Sequence, residues 1–387
     1  MKIVFLCTDI PAAGNTTPFQ RAKYLSEKHD VYVVCQRGVC DEIRGKAKKV
    51  VTCPGHSLYL DRIIFPLWAV LKVLMVHRSE HIDWIHSSRD TLELITGFIL
   101  GRFGFRWVAD IWDDPGLSVE TSRGYRGIRS RVRLLYHSIM FFFAKRCLKY
   151  ADLVIVAMLP DVLRPYHIER NKILSVTNGV DLNITKPLPA VRQTDTFIIS
   201  YVGHLKKIRG VDIVLLAAKY LKQDIRNLSV ILVGYMEYND SKWLIKAIIQ
   251  EGLEDVVTVV GEVSHEEALR RIANSDICLN ILSPAVRNYR YAYPIKIFEY
   301  MAMGKAVIST DLPGVRKILK HGDNGLLVEP DNPQELAKAI LQIHGSSALR
   351  ERLERNALDD VKQYSWANIN RQIEQVMSKL LTLEDTV

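Results

Sequence analysis

Short apolar runs alternate with helix-forming stretches along the whole of this 387-residue chain. In the first half the runs fall at 3–7, 31–35, 50–53, 84–86, 107–111, 153–156 and 173–176. In the second they fall at 198–202, 229–233, 256–260, 277–280, 306–309 and 326–328. Parallel strands joined by crossover helices have this rhythm, with helices covering both faces of the sheet. The rhythm occurs twice, and the proline-rich stretch Lys186-Pro-Leu-Pro-Ala190 lies between the two halves. We therefore expect an α/β chain of two doubly wound, Rossmann-like domains, 1–188 and 189–363, and a final helix within 364–387. Two such domains facing one another leave a ligand cleft at the carboxyl ends of their strands.

Composition and spacing exclude several classes. Hydrophobic residues make up 48% and charged residues 25%, as in an ordinary globular protein. The opening Met-Lys-Ile-Val-Phe-Leu-Cys is too short for a signal peptide, and Thr8-Asp9 interrupts it. No stretch reaches the ~18 apolar residues of a spanning helix. Cys7, Cys35, Cys40, Cys53, Cys147 and Cys278 include no Cys-x-x-Cys pair and read as buried thiols in a reducing, cytoplasmic compartment. Neither Gly-x-Gly-x-x-Gly nor Gly-x-x-x-x-Gly-Lys-Ser/Thr occurs, so no dinucleotide cofactor and no ordinary ATPase loop are indicated. No cluster has metal-ligand spacing, and no metal is expected.

The net charge of +9 is uneven: residues 1–188 hold 27 Lys+Arg against 18 Asp+Glu, and the remainder holds 25 of each. An anionic partner for the first half follows: a membrane surface, a phosphate-bearing lipid or nucleic acid. The apolar run 63–76 and the stretch 124–150, where Arg and Lys interleave with Leu, Ile and Phe, have the composition of interfacial helices. Basic residues set among bulky aliphatics favour an anionic membrane surface over nucleic acid, and a peripheral position on the inner face of the cell membrane.

The chemistry concentrates in Pro294-Ile-Lys-Ile-Phe-Glu-Tyr-Met-Ala-Met-Gly-Lys-Ala-Val-Ile-Ser-Thr310. Pro294 suits the first turn of a helix and Gly304 its end. The opening turn offers the N–H groups of Ile295, Lys296 and Ile297 to an anion, with the positive end of the helix dipole behind them. Glu299 lies about a turn deeper, where a carboxylate can accept hydrogen bonds from two vicinal hydroxyls such as those of a ribose. Phosphate at the cap and ribose on Glu299 together describe a nucleotide.

This run resembles the donor-site helix of retaining family-4 glycosyltransferases, written Pro-Leu-Lys-Leu-Phe-Glu-Tyr-Met-Ala-x-Gly-Lys-Pro-Val-Ile. Gly203-His-Leu-Lys-Lys-Ile-Arg-Gly210 resembles the family's Gly-Arg-Leu-x-x-x-Lys-Gly loop, with Arg209 at the lysine and His204 at the arginine that hold the donor diphosphate. Asp110-Ile-Trp-Asp-Asp-Pro115 resembles its Asp-x-Arg/His-Asp-x-x-Pro element, which places Asp113 and Trp112 at the acceptor. Gly14 sits in the first glycine-containing loop, near the donor phosphate, and Arg21 follows it toward the acceptor. Thr177-Asn-Gly-Val-Asp181 matches the family's entry into the second domain. Tyr291 stands where many members carry a first glutamate, which leaves the sugar open.

The resemblance implies two facing Rossmann-like domains of the GT-B type, with the last helix crossing back onto the first domain. It implies transfer of a sugar from a nucleotide-diphosphate donor to an acceptor hydroxyl with retention and without a metal. Asp113, Arg209 and Lys296 carry the reaction in this reading, and Gly14, His204, Arg209, Pro294, Ile295, Lys296, Ile297 and Glu299 hold the donor. Arg21, Trp112 and Asp113 hold the acceptor, a saccharide or lipid-linked saccharide in polysaccharide or glycolipid assembly. A nucleotide-sugar epimerase of the same architecture and a non-catalytic donor-binding subunit are the alternatives.

Overall fold

The computed structural model describes residues 1–10, 16–54, 60–88, 90–114, 116, 128–189 and 195–384. The chain divides into two compact units, Met1–Asn178 with Trp366–Val387, and Gly179–Ser365. The division falls inside the Thr177–Asp181 turn, upstream of the proline-rich stretch.

The first unit is built on seven strands, β1 (Lys2–Ile10), β2 (Asp30–Val39), β3 (Lys49–Thr52), β4 (Trp84–Ser87), β5 (Arg106–Ile111), β6 (Leu153–Val156) and β7 (Ile173–Ser175), in the order β3-β2-β1-β4-β5-β6-β7. The second has six, β8 (Phe197–Val202), β9 (Leu228–Val233), β10 (Val257–Gly261), β11 (Ile277–Asn280), β12 (Ala306–Thr310) and β13 (Leu326–Val328), in the order β10-β9-β8-β11-β12-β13. Strand pairing is parallel throughout both sheets. In each sheet the order reverses beside the first strand, at β1/β4 and at β8/β11. Loops leaving such a switch point diverge and open a crevice at the strand ends, where ligands bind. At the second of these points the sequence places the basic loop 203–210.

Burial on both faces explains why the strands are continuously apolar: Ile3, Val4, Phe5 and Leu6 are all 0% exposed. Ile3, Phe5 and Cys7 of β1 point into a core with Phe19 and Ala22 of the helix Thr17–Lys28 and Trp366, Ile369, Ile373 and Met377 of the terminal helix Trp366–Glu384. The terminal helix therefore counts with the first unit, and Tyr24 Oη donates to Glu374 at 2.7 Å across the contact. Helices Leu60–Glu80, Thr91–Arg102 and Ile128–Cys147 cover the opposite face, with Thr91–Arg102 packed between the other two. No helix among the described residues is long and apolar enough to cross a membrane. The six cysteines are free thiols, and all but the half-buried Cys40 are buried.

Candidate active site

The second unit gathers its polar groups where β8 and β9 end. Two glycines let these ends meet: Gly203 (φ +143°) and Gly234 (φ +142°) both occupy backbone that L side chains rarely adopt. A Cβ on Gly234 would lie 1.8 Å from the Gly203 carbonyl oxygen, so no side chain fits there. Gly203 N–H donates to Val233 O at 2.8 Å and Gly234 N–H to Gly261 O at 2.7 Å, which ties three strand ends together. Tyr201, wholly buried, donates from its hydroxyl to Arg209 O at 3.2 Å and so holds the loop 203–210 closed on itself.

The helix Ile295–Ala302 abuts this loop with its N-terminus. Ile297, Phe298, Tyr300 and Met301 are buried and seat it on the sheet. Tyr300 reaches back to β8: its hydroxyl accepts from Val202 N–H at 3.0 Å and lies 3.2 Å from Val202 O. Only part of the expected amide cradle is open, because Ile297 N–H closes the first turn onto Pro294 O at 3.1 Å. The amides of Ile295 and Lys296 precede any intrahelical acceptor, whereas that of Ile297 is used within the turn.

Lys296 is the electrostatic centre of this arrangement. Its Nζ is cut off from solvent, sits 3.9 Å from the centre of the Tyr201 ring, and finds no hydrogen-bond acceptor among the described residues. Burial, with the Arg209 cation adding to it and Glu299 opposing, holds the ammonium well below the usual lysine range. Burial also lowers the His204 imidazole, with Lys206 and Arg209 pushing the same way, and its Nε2 is buried without a partner. Lys206 turns away to Glu237 and Asp240. Arg209 stands 5.3 Å from the Tyr289 ring centre, and Arg287 stands 5.7 Å from that of Tyr291. The arrangement gathers Lys296, Arg209 and His204 at two glycine loops, with the Glu299 carboxylate offsetting part of the charge at Lys296.

Glu299 lies a turn below, its side chain 13% exposed, and His265 Nε2 bonds its Oε1 at 2.8 Å. That hydrogen bond raises the His265 pKa against the opposing effect of burial. His265 opens the helix His265–Ala273, whose start is fixed by Ser264 Oγ accepting from Glu267 N–H at 3.2 Å.

In the first unit the residues assigned to the acceptor separate into two groups. Arg21 is wholly buried: Nε donates to Asp110 Oδ2 at 2.7 Å, and Nη1 donates to Asn370 Oδ1 on the terminal helix. His86 Nε2 meets the same Asp110 oxygen at 3.1 Å, and its ring stacks on Phe5 at 4.8 Å. Burial alone favours a protonated Asp110, but Arg21 and His86 overcome it and bring its pKa down to about 2. The expectation that Arg21 touches an acceptor is thus corrected: its guanidinium neutralises a buried carboxylate and pins the terminal helix. Asp113 is half-buried at the end of β5, where a ligand-facing group belongs. Trp112 is partly packed against the core below, so only part of its indole is open. Asp114 is buried and accepts from Tyr166 Oη at 2.6 Å and Gly116 N–H at 3.0 Å, which sets the turn. Gly14 and Pro115 lie outside the described residues. Among the described residues no three His, Cys, Asp or Glu side chains converge as metal ligands.

Residues 188–360, which contain the whole of this cationic site, match the family model of group 1 glycosyl transferases. A D-inositol 3-phosphate glycosyltransferase of Corynebacterium aurimucosum is 25% identical over 309 residues, covering 74% of this chain and 71% of the relative. The second unit is that of a group 1 glycosyl transferase. The chain's GT-B fold recurs in solved structures. Sucrose-phosphate synthase from Thermosynechococcus elongatus superposes with a TM-score of 0.76 at 20% identity, covering 99% of this chain and all of the other. Anabaena Alr3699/HepE in complex with UDP-glucose superposes with a TM-score of 0.73 at 22% identity, over 98% of this chain and 100% of the other.

Glu299, Lys296, His204 and Arg209 stand out in the sequence, and the fold places all four at the strand ends of the second unit. The sequence does not single out His265, Tyr201 and Tyr300. The Ser264-x-x-Glu267 capping signature marks the helix start, but the meeting of residues 265 and 299 depends on tertiary packing. His265→Ala is expected to leave the fold intact and to weaken nucleotide binding about five- to tenfold, the worth of one hydrogen bond that orients the carboxylate. Isothermal titration with a nucleoside diphosphate checks it, and unchanged affinity would remove His265 from the site.

Proposed function

We propose that this glycosyltransferase takes its sugar from a nucleoside-diphosphate donor held by the second unit and transfers it with retention. The observation that carries the proposal is Lys296 Nζ, buried without an acceptor among the described residues, within electrostatic reach of Arg209 and in the first turn of its helix. A buried amine without a hydrogen-bond acceptor disfavours its charged form, and a diphosphate at the two glycine loops would accept from it and favour the ammonium. Glu299 then lies a helical turn from the phosphates, at the reach of a ribose. The complex of Alr3699/HepE with UDP-glucose supports a donor of this class.

As the donor's C1–O bond to phosphate breaks, charge accumulates on the diphosphate and oxocarbenium character on the sugar. Lys296, Arg209 and the helix amides meet the first, a preorganised contribution of several kcal/mol that takes the place of a divalent metal. The acceptor oxygen bonds C1 from the face the diphosphate leaves, and its proton passes to the departing phosphate oxygen. Asp113 orients that hydroxyl. Polysaccharide or glycolipid assembly is the setting proposed for the reaction.

A thermal-shift panel of UDP, GDP, ADP and dTDP with EDTA present tests the donor site: one nucleotide is expected to raise the melting temperature by mass action. A flat panel would overturn the reading. The bound nucleotide is further expected to draw protons from the buffer. Lys296 and His204 are held below their ordinary pKa values in the free protein, and a diphosphate raises both, so protonation accompanies binding and affinity falls as pH rises. Calorimetric enthalpies in two buffers of different ionisation heat measure the uptake; proton release or none would contradict it.

A further inference from the structure

We infer that the outer face of the helix layer Leu60–Glu80, Thr91–Arg102 and Ile128–Cys147 is a docking surface for an anionic lipid bilayer. Helix Leu60–Glu80 is apolar on both sides. Phe65, Ala69, Val73 and Val76 are buried toward the sheet, while Ile64, Leu67, Leu71 and Met75 form a stripe on the outside, with Leu67 67% exposed. The outward positions recur at helical spacing, so they are one surface and not scattered exposures. Helix Ile128–Cys147 repeats the arrangement: Val132, Leu135, Ile139, Phe142 and Phe143 face outward, with Leu135 62% exposed. Thr91–Arg102 packs between these two helices, and Phe103, 62% exposed, follows it. All three helices cover the same face of one sheet, so both stripes point to the same side of the unit.

The charges around the stripes select the occupant. Helix Ile128–Cys147 contains no Asp or Glu; Arg131 precedes its stripe and Arg146 ends it, the guanidinium carbon 4.3 Å from the Phe142 ring centre. Lys149 follows, 4.9 Å from the Tyr150 ring centre, and Lys72 lies 6.0 Å from that of Trp68. Cations paired with aromatic rings beside exposed aliphatics suit the boundary between phosphate headgroups and acyl chains. A second copy of this chain would set basic residues against basic residues, whereas an anionic bilayer complements them, as the +9 excess confined to residues 1–188 requires. Both long helices run into the strands that follow them, so they begin at the carboxyl edge of the sheet, the edge at which β5 delivers Asp113. A bilayer on this face therefore lies next to the acceptor side of the first unit and favours acceptors anchored in lipid.

Flotation of the full-length protein with phosphatidylcholine vesicles, with and without phosphatidylglycerol, tests this. Binding is expected only to the anionic vesicles and to weaken with salt. The double variant Leu67→Glu/Leu135→Glu and the single variant Arg146→Glu are each expected to weaken vesicle binding tenfold or more. Their nucleotide-induced thermal shift is expected to match that of the parent, which shows that the fold and donor site are intact. Absence of binding to anionic vesicles, or binding unchanged in the double variant, overturns the inference. A parent that sediments as a dimer, ignores vesicles and becomes monomeric in the double variant would assign the face to a second copy instead.

Discussion

Replacing Lys296 with Met is expected to make the protein more stable and almost inactive. Burial over the Tyr201 ring without an acceptor disfavours the ammonium, and Arg209 adds to this, so folding costs free energy whether the charge is buried or its proton released, a cost the solvated unfolded chain does not have. Methionine has a similar length, fills the same space and carries no charge, so the penalty disappears. A gain of about 1–2 kcal/mol corresponds to a melting temperature raised by roughly 3–8 °C for domains of this size. The same change removes a cation aimed at the charge that develops on the leaving diphosphate. Loss of one such preorganised group costs about 10²–10³ in kcat, or ~3–4 kcal/mol. Differential scanning calorimetry and transfer kinetics on one preparation check both halves. A lower melting temperature with near-parent kcat would show that Lys296 is a structural cation and that the charge of the site has been misread.

Opposite responses of stability and activity mark where local physics departs from what folding alone would select. Away from such sites this chain is locally consistent, and that is why its fold was legible. Among the described residues each strand overlaps an apolar run visible in the sequence, because parallel strands between two helix layers must be apolar on both sides. The donor helix was legible for a similar reason. Pro294 and Gly304 bound it, and its polar members, Lys296 and Glu299, stand out against the buried Ile297, Phe298 and Met301.

What escaped the sequence depends on contacts between distant segments. Arg21 is the clearest case: a lone arginine just after the first glycine-containing loop reads as a contact to the acceptor. Its partners are Asp110 on β5 and Asn370 on the terminal helix, 89 and 349 positions away. Burial of an arginine is tolerable only with such partners, and no local pattern announces them. Ile297 failed in the other direction, since the capping geometry was correctly placed but a tight first turn consumed one of its three amides. His265 was hidden because the capping box that begins its helix explains Ser264 and Glu267 completely and leaves the direction of the imidazole unspecified.

Glu299→Ala is expected to differ from Lys296→Met in kind. The Glu299 carboxylate can accept two hydrogen bonds from one ribose, and neither the ribose nor its hydroxyls change charge as the sugar leaves. Interactions that are equal in the ground and transition states set KM and leave kcat alone. Two charge-assisted hydrogen bonds at about 1.5–3 kcal/mol each place the loss of kcat/KM near 10²–10³ once the water that replaces the carboxylate is counted. That loss should appear almost wholly as a raised donor KM, with kcat within a few-fold of the parent. Stability should change little, because the buried Ile297, Phe298 and Tyr300 seat the helix and alanine is a strong helix former. A deoxyribose donor supplies the internal control. The parent should discriminate against it, and the variant should not, since the group that senses the hydroxyl is gone. Steady-state kinetics with ribo and deoxyribo donors decide the matter. Equal discrimination in parent and variant would move the ribose away from Glu299 and leave the His265–Glu299 pair as a bond that only holds two helices together.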